Sequence, residues 1–181
     1  MMGRTKGGFF MRDQATRRLA YGGLMAALIA LLTAYVHLSV FIPMQAGYAH
    51  LGDVGIVLAS IIMGPFAAVP AALGSALVDV LLGAFATYAP FTLVIKGVMG
   101  FVLGKFLVAK RFSVRNACLL LLMAAFMVGA YFFTDTLLYG VEAAIGSVVG
   151  NCVQGGLMLV GGMVILPLYC SLPERIRGIR K

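Results

Sequence analysis

The sequence predicts an all-α integral membrane protein, a six-helix bundle with both termini cytoplasmic. Three observations lead there. First, of 181 residues 62% are apolar and only 11% charged, with 23 glycines besides. A soluble domain is roughly 45–50% apolar, glycine included, and about 25% charged, so a soluble fold of this size could not hide the excess from water. Second, the apolar residues form continuous runs without period-two alternation. Such runs favour helices over a barrel, because a segment in lipid must satisfy its own backbone bonds. Third, every Lys and Arg except Lys96 falls in one of three clusters between apolar runs. That placement explains the +8 net charge without invoking nucleic acid.

The apolar segments are about 17–37, 50–64, 66–84, 90–108, 116–138 and 143–170. At roughly 20 residues per crossing, they leave no room within this sequence for a soluble catalytic or nucleotide-binding domain. The first run, from Leu19 to Val36, follows basic residues as a signal peptide would. It exceeds the usual h-region of about 7–15 residues, and further spans follow, so it reads as a retained helix. Met11 is an alternative start to Met1. Between the second and third segments Gly64-Pro65 intervenes and Pro70 follows. Proline donates no backbone bond and disfavours helix in the residue before it, which fits either a tight turn or one long kinked helix.

Charge placement decides between these. The clusters are Arg4, Lys6, Arg12, Arg17 and Arg18; Lys105, Lys110, Arg111 and Arg115; and Arg175, Arg177, Arg180 and Lys181. The positive-inside rule places all three on the cytoplasmic side. An even number of crossings must separate the first two, hence four helices and a turn at Gly64-Pro65. The stretches Val36–Ala49, Ala84–Ala89 and Tyr139–Glu142 then lie outside, and none holds a Lys or Arg. The organisation is a cytoplasmic tail over 1–16, a six-helix substrate-binding domain over 17–172 and a basic cytoplasmic tail over 173–181. No internal repeat of the inverted-transporter kind is evident.

Few polar residues remain in or beside the membrane, and such residues mark function or pair with each other. Asp53 stands at the outer start of the second helix, Asp79 about one turn below the outer surface in the third. Lys96 lies about 9 Å down the fourth helix, and Asn151 and Gln154 about 12–17 Å down the sixth, three apart and on one face. They converge on the outer half of the bundle, which indicates a pocket open outward rather than a through-pore. Each has an alternative reading. Lys96 pairs with Asp79 or contacts a ligand; Asn151 and Gln154 bind a ligand or glue helices; Asp53 is a ligand group or an N-cap. Asp135 and Glu142 flank an outer loop, where solvation is the plainer expectation. Tyr48, Tyr88 and Tyr139 are interface aromatics or a lid over a ring-shaped ligand.

His37 and His50, in the first outer loop, lack partners at metal spacing, so no metal or cofactor is expected. Cys118, Cys152 and Cys170 are widely spaced in apolar runs and read as small core or lipid-facing side chains. In the first helix, Ala20, Gly23, Ala27, Ala30 and Ala34 form a stripe of small residues, with Gly22 and Ala26 beside it. Such a stripe admits close approach of another helix, within the bundle or from a separate membrane subunit.

Several motifs together resemble S components of energy-coupling factor (ECF) vitamin transporters, in the group that covers riboflavin and hydroxymethylpyrimidine or pyridoxine. They are Leu51-Gly52-Asp53, Gly64-Pro65, Leu73-Gly74-Ser75-Ala76-Leu77-Val78-Asp79, Tyr88-Ala89-Pro90-Phe91-Thr92 through Lys96-Gly97, and Asn151-Cys152-Val153-Gln154-Gly155. The resemblance extends over the whole chain in length, helix count and termini. It implies a six-helix protein of the prokaryotic cell membrane that binds one vitamin near the outer face. It further implies docking onto a transmembrane coupling protein with two ATPases, and toppling in the membrane to release substrate inside. By this resemblance Gly23-xxx-Ala27 stands at the AxxxA motif of the first helix that packs on the coupling protein, with Gly in place of the first Ala.

The expected function is therefore a binding subunit, not an enzyme. Asp79, Lys96, Asn151, Gln154, Asp53 and Glu142 supply hydrogen bonds to the ligand, and Tyr88 and Tyr139 cover it. The ligand expected is a small ring such as hydroxymethylpyrimidine or pyridoxine, with riboflavin the alternative. An intramembrane enzyme would need a nucleophile–base pair, yet no His lies inside a helix and Ser75 and Ser147 have no apparent partner. A channel or stand-alone carrier would need polar residues along the full depth or ion sites near the midplane. The apolar inner half argues against both, and nothing specific favours a scaffold.

Overall fold

The computed structural model describes residues 6–42, 45–83, 85–109 and 113–173, with only the backbone for 6–14 and 37–48. Six α-helices are present among the described residues: α1 Lys6–Tyr35, α2 Gly52–Met63, α3 Ala68–Leu81, α4 Ala89–Phe106, α5 Val114–Tyr139 and α6 Val141–Ser171. A 3-10 turn, Gly64–Ala67, joins α2 to α3, and a second, Ala86–Tyr88, leads into α4. Five stretches are long and apolar enough to cross a membrane: Ala15–Tyr35, Gly52–Leu81, Ala86–Phe106, Val114–Tyr139 and Val141–Ser171. The protein is thus an all-α membrane protein. By length α2 and α3 count as one stretch, since 12 and 14 residues make only about 18 and 21 Å each at 1.5 Å per residue.

Their neighbours show that this stretch folds back on itself. Along α4, Asp53 and Ser60 of α2 meet Lys96 and the Gly100 carbonyl, so α2 runs parallel to α4. Past the turn the order reverses, with Ala67 and Ala71 against Gly100 and Ala72 against Gly97. The cause is local. Gly64 ends α2 at φ +61°, a conformation that costs most residues but not glycine, and Pro65 begins the next turn with its φ already set.

Helix α1 passes beside both limbs, with Ile29 and Leu32 near Gly55 and Ala26 near Gly74. Helices α5 and α6 form the other side, Leu120 against Gly162 and Ala124 against Gly155. Ile29, Ile56, Met99, Leu103, Leu120, Met127 and Met158 are completely buried between the two sides. The outward face of α1 carries Leu24 and Leu31 exposed, and α5 carries Leu121 and Leu122, as lipid-facing positions should.

The first loop is more ordered than a plain connection. Strands β1 His37–Ile42 and β2 Gln45–His50 pair antiparallel, with His37 opposite His50 and Ile42 opposite Gln45. This hairpin stands directly before α2. Helix α1 also begins at Lys6, within the stretch 1–16 expected as a tail, although its apolar span begins only at Ala15. The cluster residues Arg4, Lys110, Arg111, Arg175, Arg177, Arg180 and Lys181 lie outside the described residues, as do the side chains of Lys6, Arg12, His37 and Tyr48. Lys105 and Arg115 mark the end of the bundle that also holds the Gly64 turn, here called the basic end. Cys118 and Cys152 are exposed and Cys170 half-buried, all three free.

The turn gives a sharp expectation. A Cβ at Gly104 would overlap the Gly64 carbonyl and press on the Pro65 nitrogen, whereas a Cβ at Gly23 would meet nothing within 4 Å. Gly104→Ala should cost about 2 kcal/mol, as overpacking against rigid backbone does. Gly23→Ala should be neutral or slightly stabilising, helix interiors preferring Ala by roughly 0.5–1 kcal/mol. Thermal unfolding of the detergent-solubilised protein measures both.

Candidate functional site

Two polar stripes at helical spacing build the site. On α4, Tyr88 just before the helix, Thr92 and Lys96 recur every fourth residue. On α5, Met127, Tyr131, Asp135 and Tyr139 do the same. Residues four apart share a helix face, and the antiparallel contact of these helices brings the stripes together rung by rung. Lys96 Nζ donates to Met127 Sδ at 3.2 Å. The Thr92 and Tyr131 hydroxyls are 3.1 Å apart. Tyr88 donates to Asp135 Oδ1 at 2.6 Å, and Thr87 and Tyr139 hydroxyls are 3.0 Å apart.

The deepest rung is a closed cluster. Lys96 Nζ donates to Asp53 Oδ1 at 2.6 Å, and Gln154 Nε2 donates to Asp53 Oδ2 at 2.7 Å. Gln154 also reaches Met127 Sδ at 3.4 Å, and the Lys96 ammonium lies 5.4 Å from the Tyr131 ring centre. Asp53 and Lys96 are each 1% exposed. A lone charge in such a place would be prohibitive, and pairing with full hydrogen bonding is what permits it. Three helices, α2, α4 and α6, are tied through one carboxylate.

Sequence reasoning named Asp53, Lys96 and Gln154 and missed how they combine. Lys96 pairs with Asp53 and not with Asp79. Asp53 is not an N-cap: Leu51 holds that position, and its side chain makes no capping hydrogen bond. Asp79 lies on α3, buried, and its Oδ2 has no hydrogen-bond partner. Ser75, one turn below, and Thr33 on α1 likewise have buried hydroxyl oxygens without a partner. Thr33 and His50 pack at Gly52, and His50 Nδ1 accepts the Gly52 N–H at 3.1 Å.

A second network stands nearer the other end of the bundle. Asp135 is 4% exposed, contrary to the expectation of a solvated loop residue, because Tyr88 and Ser147 both donate to it. Ser147 therefore has a partner after all. It is a carboxylate without an intervening histidine, which does not make an activated nucleophile. Asn151 reaches the Ser147 hydroxyl at 3.5 Å, so it joins this network while Gln154, three residues on, joins the deeper one. The Tyr88 and Tyr139 rings lie 5.8 Å apart over it. Glu142 is exposed in the first turn of α6, where a carboxylate suits the helix dipole, and it is apart from both networks.

The basic end is different. There Ser60 donates to the Gly100 carbonyl, and Asn116 exchanges hydrogen bonds with the Val108 backbone at 2.7 and 3.1 Å, closing the connection from α4 to α5. Both are local stitches to backbone. Tyr88 is the sharper test of the upper network. Tyr88→Phe leaves a buried carboxylate short of a donor and should cost about 1.5–3 kcal/mol, whereas Tyr139→Phe, at an exposed position, should change thermal stability by less than about 0.5 kcal/mol.

Comparison with known proteins fits this arrangement. A protein of Pyrococcus woesei, described as an uncharacterized protein in gap 3′ region, is 33% identical over 125 residues, which cover 67% of this chain and 83% of that one. The family model for the ECF-type riboflavin transporter, S component, matches residues 13–171. That match takes in α2 to α6, all of α1 but its first seven residues, and both polar networks. The chain belongs to the ECF-type S component family, whose members are substrate-binding membrane subunits of transporters rather than enzymes.

Proposed function

We propose that this chain captures a small vitamin or vitamin precursor at the outer face of a prokaryotic cell membrane and delivers it inward with an ATPase module. The observation that carries the reading is the buried Asp53–Lys96–Gln154 cluster, a charged site set toward one end of an otherwise apolar bundle. In this reading the helices make six crossings, the Gly64 turn and both termini are cytoplasmic, and the end holding Tyr88 and Tyr139 faces out.

The site residues have distinct roles. Lys96 and Gln154 spend part of their donor capacity on the Met127 sulfur, a weak acceptor. A ligand nitrogen or oxygen replaces that sulfur at little cost. Asp53 holds both donors in place, Asp79 accepts from the ligand, Asn151 bonds its upper edge, and Glu142 stands at the rim. Tyr88 and Tyr139 cover the ring. The ligand is a hydroxymethylated six-membered ring of the hydroxymethylpyrimidine or pyridoxine kind. Riboflavin is the second reading, favoured by the match to the riboflavin transporter S component family.

Uphill transport needs an energy source, and in this reading a coupling protein with two ATPases supplies it. The docking face is α1. Ala20, Gly23 and Ala27 are exposed and Ala30 half-buried, while Gly22, Met25 and Ile29 turn inward. An exposed track of small residues lets a partner helix come close.

Mass spectrometry of the small molecule that co-purifies with the detergent-extracted protein tests the reading, and a hydroxymethylated six-membered ring is expected. Gln154→Ala and Asn151→Ala should each weaken its binding by about tenfold, roughly one lost hydrogen bond, with membrane expression retained. Unchanged affinity in both removes them from the site. Gly23→Leu should abolish co-purification with the coupling protein and ATPases.

A further inference from the structure

Helix α6 is rich in glycine, and one of its glycines behaves unlike the others. At Gly155, Gly161 and Gly162 a Cβ would press on Ala124, Val54 or Leu120, so these three are packing contacts. Gly156 is exposed, and a Cβ there would meet nothing within 4 Å. Gly150 is buried, yet a Cβ placed on it would also meet nothing within 4 Å. Among the described residues it is the one glycine that joins burial to open space. Protein interiors pack closely, so room of this kind away from solvent is volume left unfilled.

The height of that room in the bundle follows from its neighbours. Gln154, four residues on, meets Met127, and Ser147, three residues back, meets Asp135. Gly150 is therefore level with Tyr131, which lies four residues from both Met127 and Asp135 on one face of α5. The Tyr131 hydroxyl is 3.1 Å from that of Thr92, and its ring centre is 5.4 Å from the Lys96 ammonium. The open space thus stands between the two polar networks, above the Asp53–Lys96–Gln154 cluster and below Asp135. Donors on its border are poorly engaged. Lys96 and Gln154 each spend a bond on a thioether, and the Asn151 amide reaches Ser147 only at 3.5 Å.

We infer that Gly150 is a specificity-determining residue: the face of the substrate's ring lies on the bare α6 backbone there, and the missing side chain sets the room the ring occupies. This rests on the vitamin-binding reading above and adds to it a residue that no hydrogen bond marks. Glycine is the residue that lets a ligand approach backbone closely, and in a helix interior it is otherwise inferior to alanine. The space at Gly150 accepts an alanine methyl without a clash. Alanine there stabilises the empty protein and obstructs the filled one. A mere packing flaw would be improved by the same methyl at no cost to binding. One substitution therefore separates the two.

The experiment pairs calorimetric titration with thermal unfolding, both on the full chain in lipid nanodiscs. The probes are hydroxymethylpyrimidine, pyridoxine and riboflavin, and the variants are titrated with whichever the native chain binds most tightly. Without probe, Gly150→Ala should melt no lower than the native protein. It should nevertheless bind the probe at least about tenfold more weakly, and Gly150→Leu at least about a hundredfold, as overfilling of a packed site does. Gly156→Ala, on the exposed side of the same helix, should keep the native affinity within about twofold. Native affinity in Gly150→Ala overturns the inference and leaves the vitamin-binding reading standing. A Gly150→Ala protein that melts below the native one without probe also overturns it, by showing the space already filled. So does an equal loss of affinity in Gly156→Ala, which would trace the effect to the helix and not to the site. Binding of none of the three probes by the native chain overturns both readings.

Discussion

A charge placed in an apolar bundle must find its opposite, and most of this architecture follows from where Lys96 finds Asp53. The two meet at 2.6 Å with each 1% exposed. Taking two ions out of water costs several kcal/mol apiece, and their attraction compensates only when geometry and further hydrogen bonds are good. Gln154 supplies one such bond and Met127 another contact. The pair is therefore weak evidence of net stability. It is strong evidence of constraint, because α2, α4 and α6 can meet in few other ways without stranding a charge.

Small residues make that meeting possible. Lys96 reaches Asp53 because α4 packs tightly on the hairpin of α2 and α3, with Gly97, Gly100 and Gly104 presenting no side chain to it. In lipid, where hydrophobic driving force between helices is absent, such close backbone contact is what holds helices together. The polar stripes of α4 and α5 then fall into register, and a single rotation of either helix would separate every rung at once. Apolar packing at the basic end and hydrogen bonding at the other are two halves of one solution. The first sets distances, and the second uses them.

Much of this was legible beforehand. The apolar runs located the helices, Gly64-Pro65 marked the reversal, and Asp53, Lys96 and Gln154 stood out as polar residues in apolar surroundings. Spacing within a helix says which residues share a face; it does not say which way the face turns or what stands opposite. Lys96 could therefore not be assigned to Asp53 over Asp79, and Asp135 looked solvated for want of knowing that Tyr88 and Ser147 turn toward it. The stripes Tyr88-Thr92-Lys96 and Met127-Tyr131-Asp135-Tyr139 were readable in the spacing, and would have pointed to Thr92 and Tyr131. The β-hairpin was harder. His37-Leu38-Ser39-Val40 alternates, but Phe41 and Ile42 blur the pattern in a stretch only six residues long.

The central claim is that Asp53 and Lys96 act as one unit that positions the donors of the site. A double-mutant cycle on thermal stability measures this directly, with Lys96→Met, Asp53→Asn and the two combined in the solubilised protein. Each single change should cost about 3–5 kcal/mol by leaving an uncompensated buried charge or its partner unpaired. The combined variant should recover at least about 2 kcal/mol relative to their sum, a coupling of the size seen for residues in one buried network. Strict additivity of the two substitutions would contradict the account, because it would mean that neither side chain depends on the other.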